Sequence, residues 1–204
     1  MDDIVKRAMI KWPNVPHCYG WLALDARGNW RMRDEPTQHA NLPGDKIVHA
    51  ALLGFINRNY LADEVGRWYF QNGPQRVFVN LESTPFIART DAEDGLVLHT
   101  GEALSTLDAA WLTESGKLVI QVDGRIAQID DRDLQQCLPW LTQERAGATA
   151  NLAVDEQFLL DWIADPSDAR ALCLSYRSQQ IAVHRLDEAS MASRFGFVLT
   201  PRPN

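Results

Sequence analysis

The sequence has little cysteine, no long apolar run and no excess of positive charge. Its three cysteines, Cys18, Cys137 and Cys173, lie far apart and form no Cys-x-x-Cys pair. Such sparse, unpaired cysteine is typical of a reducing compartment and argues against a disulfide framework or a structural zinc site. No segment has the run of about 20 apolar residues that crosses a bilayer, and the N-terminus lacks a signal-peptide core. We therefore expect a cytoplasmic protein with no membrane partner.

The charge balance argues against nucleic acid as a partner. The 204 residues carry a formal net charge of −7, with 46% hydrophobic and 23% charged residues. These fractions are ordinary for a globular protein. A net negative chain offers no general cationic surface to a phosphate backbone. The densest basic set, Arg27, Arg31 and Arg33, is predicted to lie on a solvated hairpin.

The common catalytic signatures are also missing. The chain has no Gly-x-Gly-x-x-Gly, no Walker loop, no His-Glu-x-x-His and no Gly-x-Ser-x-Gly. Dinucleotide-binding, P-loop, zinc-protease and α/β-hydrolase functions thereby lose their main support. The five histidines are dispersed along the chain. The carboxylate cluster Asp91, Glu93 and Asp94 is interpreted as a solvated turn. The cluster Asp130, Asp131 and Asp133 is interpreted as a helix N-terminus. We expect no cofactor and no metal.

A β-hairpin over Gly66–Glu82 is the segment around which the rest of the chain is organised. Aromatic-rich runs flank Asn72 and Gly73, a dipeptide that favours a type I′ turn, and this turn would place Trp68 opposite Val77. Alternation then predicts an apolar face, with Trp68, Phe70, Val77, Val79 and Leu81, and a mixed face, with Tyr69, Arg76, Phe78 and Asn80.

The remaining elements predict an α+β fold. Helices are expected over residues 2–11, 45–56, 131–138 and 154–163, and strands arrive as further hairpins, ending with a strand at Phe195–Leu199. The pattern indicates a predominantly antiparallel β meander, as a bent sheet or half-open barrel covered by a few helices. Thr142–Asn151 is the best linker candidate. We therefore expect a β-rich main domain over residues 1–141 and a smaller helix-plus-strands lobe over residues 151–204, which could also pack as one domain.

Three segments carry a resemblance to a known family. The opening segment Trp12–Leu22, the hairpin Leu24–Trp30 and the later Trp68–Val77 resemble an uncharacterised proteobacterial family, a domain of unknown function. The resemblance covers roughly residues 9–130. It implies a bacterial cytosolic protein and transfers no catalytic residue.

The seven tryptophans, four of them in the first third of the chain, suggest an aromatic cleft as well as a core. If the sheet curls, aromatic side chains would approach one cation and form a pocket for a small anion. The residues assigned to this site are Tyr19, Trp30, Tyr69, Asn72, Gln75 and Arg76. A polar turn with an exposed Arg76 is the competing interpretation.

Three functional hypotheses follow. The leading one is a non-enzymatic module that binds a small molecule or a protein through this face. The second is an enzyme of unrecognised type that uses His17 or Cys18 with Arg76, since an imidazole can lower the pKa of a thiol. The third is a structural homo-oligomer formed through exposed strand edges such as Phe195–Leu199.

Overall fold

The computed structural model describes residues 1–93, 95–143 and 152–203, and these contain six α-helices and two β-sheets. The chain divides into two units. The first unit holds Met1–Pro85 together with the C-terminal residues from Ala192, and the second holds Phe86–Met191. Most of the predicted linker, residues 144–151, lies outside the described residues. The predicted division into residues 1–141 and 151–204 stays a prediction.

The first unit is built on a six-stranded sheet with strand order β3-β2-β1-β6-β5-β4. Strand β1 lies parallel to β6, and the other neighbours are antiparallel. Its elements are α1 (Asp3–Lys11), β1 (Cys18–Leu24), β2 (Trp30–Met32), α2 (Glu35–His39), β3 (Asp45–Lys46), α3 (Ala50–Arg58), β4 (Tyr60–Ala62), β5 (Trp68–Asn72) and β6 (Gln75–Leu81).

The second unit contains a ten-stranded sheet, curled as a half-barrel, with strand order β14-β13-β15-β16-β10-β11-β12-β7-β8-β9. Its strands are β7 (Phe86–Asp91), β8 (Gly95–Leu98), β9 (Ala103–Leu104), β10 (Ala109–Thr113), β11 (Leu118–Val122), β12 (Arg125–Ile129), β13 (Leu141–Gln143), β14 (Leu152–Ala153), β15 (Leu172–Tyr176) and β16 (Gln179–Leu186). Its helices are α4 (Leu134–Cys137) and α5 (Glu156–Ala164), and α6 (Met191–Phe195) leads back to the first unit.

The predicted α+β class is confirmed, and most strand pairs are antiparallel hairpins as expected. Three pairs are parallel instead: β1 with β6, β7 with β12, and β10 with β16. Parallel neighbours are far apart in sequence and need a crossover connection, so turn residues carry no signal for them. None of the helices in the described part of the chain has the length and apolar character that a bilayer crossing requires.

The central hairpin forms, but its register differs by two residues from the predicted one. Phe70 pairs with Val77, so the turn residues are Gly73 and Pro74 instead of Asn72 and Gly73. Gly73 has a φ of +56°, and because proline holds φ near −65° the turn has the pattern of type II′. A shift of two residues preserves side-chain alternation, and the predicted two faces are confirmed.

The predicted start of the second helix, with Asp45 as its N-cap, is wrong. Asp45 and Lys46 form the edge strand β3 beside β2, and α3 begins only at Ala50. The N-cap is His49, whose Nδ1 accepts a hydrogen bond of 3.3 Å from the backbone N–H of Leu52. Pairing with β2 therefore extends the chain for two residues that helical spacing had assigned to the helix.

The predicted final strand at Phe195–Leu199 is also wrong. Phe195 ends α6, and Gly196 follows it with a φ of +68°, a left-handed conformation that often terminates helices. Beyond it the chain makes isolated hydrogen bonds: Val198 N donates to Gly66 O at 3.0 Å, and Leu199 O accepts from Leu81 N at 2.8 Å. The edge proposed for self-association is therefore not a strand.

The inner face of the six-stranded sheet forms the core of the first unit. Trp30 is 2% exposed and its indole N–H donates to Asn57 Oδ1 at 2.7 Å. Its ring packs edge-on against the Tyr60 ring, with 5.0 Å between the ring centres, and the centres of the Tyr60 and Trp68 rings lie 4.8 Å apart. Burying side chains of this size stabilises the fold by roughly 1.5–3 kcal/mol each.

Candidate functional site: an aromatic face with two arginines

The outer face of the six-stranded sheet carries an aromatic cluster formed by His17, Tyr19, Tyr69 and Phe78. Phe78 is 0% exposed and lies at its centre. The Tyr19 ring stacks on the Phe78 ring at 4.7 Å and 7° between planes, while Tyr69 and His17 meet it edge-on at 5.6 and 5.7 Å. The parallel pairing of β1 with β6 brings Tyr19 to this position, because Cys18 is the Cα partner of Val77.

Two arginines cover the aromatic cluster. The guanidinium carbon of Arg67 lies 5.0 Å from the Phe78 ring centre, and that of Arg76 lies 4.7 Å from the Tyr69 ring centre. A guanidinium over an aromatic face is attracted by the ring quadrupole. Both side chains are half-buried. The cluster therefore presents two cations on one face of the sheet.

The two arginines differ in their partners. Arg67 Nε donates to Asp63 Oδ2 at 2.7 Å, and this carboxylate balances its charge. Arg76, in contrast, has no hydrogen bond from its guanidinium and no ion pair among the residues that the structure describes. A half-buried cation without a protein anion is costly unless water or a ligand pairs with it. Arg76 is thus the group on this face with unused binding capacity.

A cavity of about 450 Å³ opens beside Arg76. This volume falls within the usual range of roughly 300–1,000 Å³ for small-molecule sites. We call it the Arg76 cavity. Its lining combines the two arginines and Tyr69 with the turn that precedes β5: Ala62, Asp63, Glu64, Val65, Arg67, Tyr69 and Arg76.

Asp63 organises the turn that forms one wall of this cavity. Its carboxylate accepts backbone N–H bonds from Val65 at 3.2 Å and from Arg67 at 2.9 Å, besides the Arg67 side-chain bond. Burial alone would raise the pKa of Asp63, but these hydrogen bonds outweigh it and lower the pKa below its ordinary value of 3.8. The Asp63 carboxylate therefore stays ionised, and its hydrogen-bond partners all lie within this turn.

This lowered pKa makes part of the stability of the first unit depend on pH. Because the folded pKa of Asp63 lies below the unfolded one, its stabilising contribution is complete above about pH 4 and is lost as pH falls through the folded pKa. We expect Asp63→Asn to lower the free energy of unfolding at neutral pH, and the gap from wild type to narrow on acidification. Urea unfolding at a series of pH values measures this gap. A gap that stays constant down to about pH 2 would contradict the assignment.

The structure brings together only part of the predicted site. Tyr19, Tyr69 and Arg76 share the outer face, as the hypothesis requires. Trp30 instead lies on the inner face, in the core. Asn72 and Gln75 flank the hairpin turn, where Asn72 is exposed and the Gln75 side chain donates to Pro16 O at 3.0 Å.

Sequence reasoning missed Asp63 and Arg67, although both left a signal. An aspartate three residues before a glycine favours a turn in which the carboxylate binds following backbone N–H groups, and Gly66 has a φ of +79°. Arg67 is two residues before Tyr69, so alternation places both side chains on one face of the strand.

The thiol alternative receives no support from the geometry. His17 contacts Phe78 on the outer face, whereas Cys18 is the Cα partner of Val77, which lies on the apolar face. Burial raises the pKa of the Cys18 thiol, which disfavours the reactive thiolate. Among the residues that the structure describes, no three histidine, cysteine, aspartate or glutamate side chains are grouped in a way that could hold a metal ion.

Comparison with known proteins yields similarity to proteins of unknown function. A crystal structure of a DUF1285 family protein from Silicibacter pomeroyi DSS-3 shares 14% identity, covers 89% of this chain and 87% of its own, and has a TM-score of 0.48. One from Shewanella baltica OS155 shares 12% identity, covers 57% of this chain and 88% of its own, and has a TM-score of 0.39. No curated protein sequence matches. The model of one family matches residues 1–202, and the chain therefore belongs to the family described as "Protein of unknown function (DUF2946)".

Proposed function

We propose that this chain is a bacterial cytosolic binding protein whose Arg76 cavity holds a small molecule bearing a carboxylate or phosphate group. The observation that carries the proposal is the half-buried Arg76 guanidinium, stacked on Tyr69 and without a protein anion in the described part of the chain. The bacterial and cytosolic parts rest on the resemblance of the Trp12–Leu22 opening to a proteobacterial family and on the sparse cysteines.

The chemistry of arginine favours an oxyanion as the bound group. A guanidinium presents five N–H donors in a planar fork that matches the two oxygens of a carboxylate or phosphate. Stacking on Tyr69 orients this fork before binding, which reduces the entropy that binding must overcome. Asp63 in the same cavity is already neutralised by Arg67, and Glu64 is exposed at the rim. Neither carboxylate therefore forms an ion pair with the Arg76 guanidinium.

The site favours binding over catalysis. Asp63 is ionised and fully used by the turn, and the Cys18 thiol is on the other face with a raised pKa. Neither of these two groups is thus poised for proton or group transfer at this cavity. A protein partner that inserts an acidic side chain uses the same Arg76 chemistry and is the alternative occupant.

A thermal-shift screen of carboxylate- and phosphate-bearing metabolites tests the proposal. A compound at a hundred times its Kd adds about 2.7 kcal/mol to native-state stability and raises Tm visibly. We expect Arg76→Ala to abolish the shift. Arg76→Lys should weaken binding about tenfold or more, because a lysine provides a point charge without the fork.

The matched control is Arg7→Ala, which removes the same charge from the exposed face of α1. It should retain the wild-type shift. A folded Arg76→Ala protein with an unchanged shift would refute the site. A screen in which no compound stabilises the wild-type protein would remove the small-molecule proposal and favour a protein partner.

A further inference from the structure

Arg33 is a second arginine whose environment differs from the expected one. The sequence placed it with Arg27 and Arg31 on a solvated hairpin, yet Arg33 is only 8% exposed. Arg27 is exposed as expected, and Arg31 is half-buried beside Asp25. The solvated-hairpin prediction is therefore wrong for Arg33, which follows β2 and extends from its outer face.

The cause of this burial is the segment Asn41–Gly44, which folds over the Arg33 side chain. Arg33 Nε donates to Leu42 O at 3.0 Å, and Nη2 donates to Asn41 Oδ1 at 3.4 Å. Packing is so close that a Cβ built on Gly44, where φ is +86°, would lie 2.7 Å from Arg33 Cγ. Any side chain at Gly44 would displace this segment.

The Arg33 guanidinium keeps an unused donor, Nη1, which is not buried from solvent although most of the side chain is. Across the described ranges, it has no ion pair, and its Nη1 donates no hydrogen bond. Both of its acceptors are neutral oxygens, so they leave its charge uncompensated. Burying a cation without an anion is expensive, more so than for a half-buried one. The accessible Nη1 is therefore where water or an anionic ligand can pair with this charge.

Arg33 lines a cavity of about 300 Å³, distinct from the Arg76 cavity and sharing no residue with it. We call it the Arg33 cavity. Its wall offers further donors from an amide and a hydroxyl, and apolar surface besides: Ala23, Leu24, Asp25, Arg31, Arg33, Asn41, Leu42, Pro43, Asn80, Glu82 and Thr200.

The carboxylates in this wall have partners of their own. Asp25 accepts from Arg31 Nε at 2.7 Å and from backbone N–H groups of Arg27 and Asn29. Burial alone would raise the pKa of Asp25, but its hydrogen bonds outweigh burial and lower the pKa below its ordinary value. The Asp25 carboxylate is therefore ionised, and Arg31 balances its charge. Glu82 is exposed and accepts from Ala26 N at 3.0 Å. Both charges nevertheless repel a multiply charged anion.

We infer that the Arg33 cavity is a second ligand site, specific for a small organic monocarboxylate. The carboxylate pairs with the free edge of the Arg33 guanidinium, and the Asn80 amide and Thr200 hydroxyl supply neutral hydrogen bonds. Leu42 and Pro43 contact the short apolar body of the ligand. The neighbouring carboxylates select a single negative charge over the two of inorganic phosphate.

Titrations of the full chain followed by amide NMR test this inference. The probes are acetate, butyrate, benzoate and inorganic phosphate. We expect at least one carboxylate to bind saturably and to shift the amide resonances of Asn41, Leu42 and Thr200, with phosphate binding more weakly. Arg33→Gln should reduce the affinity about tenfold or more, the usual loss when a charged partner is removed.

Two further variants make the result decisive. Thr200→Val leaves Arg33 and its covering segment in place and should weaken binding about three- to tenfold, which is one neutral hydrogen bond. Arg76→Ala should leave the affinity unchanged, which separates this site from the proposed Arg76 site. The inference is overturned if no carboxylate binds saturably, if phosphate binds the cavity more tightly, or if Arg33→Gln and Thr200→Val both retain wild-type affinity.

Discussion

Replacing Gly66 with alanine is expected to destabilise the first unit by about 3 kcal/mol or more. Gly66 has a φ of +79°, and a left-handed conformation costs an L-residue roughly 1–2 kcal/mol. The larger part comes from sterics, because the added Cβ would overlap the backbone carbonyl of Gly196. Backbone cannot rotate away as a flexible side chain can. The bond from Val198 N to Gly66 O at 3.0 Å holds the two segments together, so relief of the overlap breaks it.

Gly196→Ala is the matched control, since it lies on the other side of the same contact. Gly196 also has a positive φ, +68°, but a Cβ there meets no atom of the described chain within 4 Å. We expect Gly196→Ala to lower the free energy of unfolding by roughly 1–2 kcal/mol, which is the conformational contribution alone. Urea unfolding followed by tryptophan fluorescence compares the two variants. Equal losses would show that the close approach of Gly66 to Gly196 is not what requires glycine.

The outer face of the central hairpin could be predicted from the sequence because it depends on local rules. Alternation along β5 and β6 assigns Tyr69, Arg76 and Phe78 to one face of the hairpin. A register shift by two residues leaves this assignment unchanged. The same rule could have excluded Trp30 from the site. Trp30 is the Cα partner of Leu24 across a short hairpin, so it shares the core face of that leucine. The misassignment came from neglecting the pairing, not from missing information.

Other features depend on contacts that sequence spacing does not encode. The stacking of Tyr19 on Phe78 requires β1 to lie parallel to β6, and the two strands are separated by about 50 residues of chain. The burial of Arg33 requires the segment Asn41–Gly44 to fold over it, and a short Pro- and Gly-containing loop carries no sequence signal for such packing. Such tertiary packing decided which arginines became candidate binding groups.

Phe78→Ala is expected to destabilise the first unit by about 3–5 kcal/mol and to abolish binding at the Arg76 cavity. Phe78 is 0% exposed, and its ring is the surface against which Tyr19, Tyr69 and Arg67 pack. Removing it leaves a cavity whose walls lose their contacts. Because Tyr69 then loses its lateral support, Arg76 loses the orientation on which the proposed oxyanion recognition depends.

Comparison with Phe78→Leu and Arg76→Ala separates stability from binding. Leucine restores much of the buried volume, so we expect a smaller loss of about 1–2 kcal/mol and weakened rather than absent binding. Arg76 is half-buried and holds no protein partner in the described residues, so its removal should cost under about 1 kcal/mol while eliminating binding. Unfolding and ligand titration on the same three proteins give both quantities. If Phe78→Ala kept wild-type affinity while folded, the aromatic cluster would be packing alone, and recognition would need another explanation.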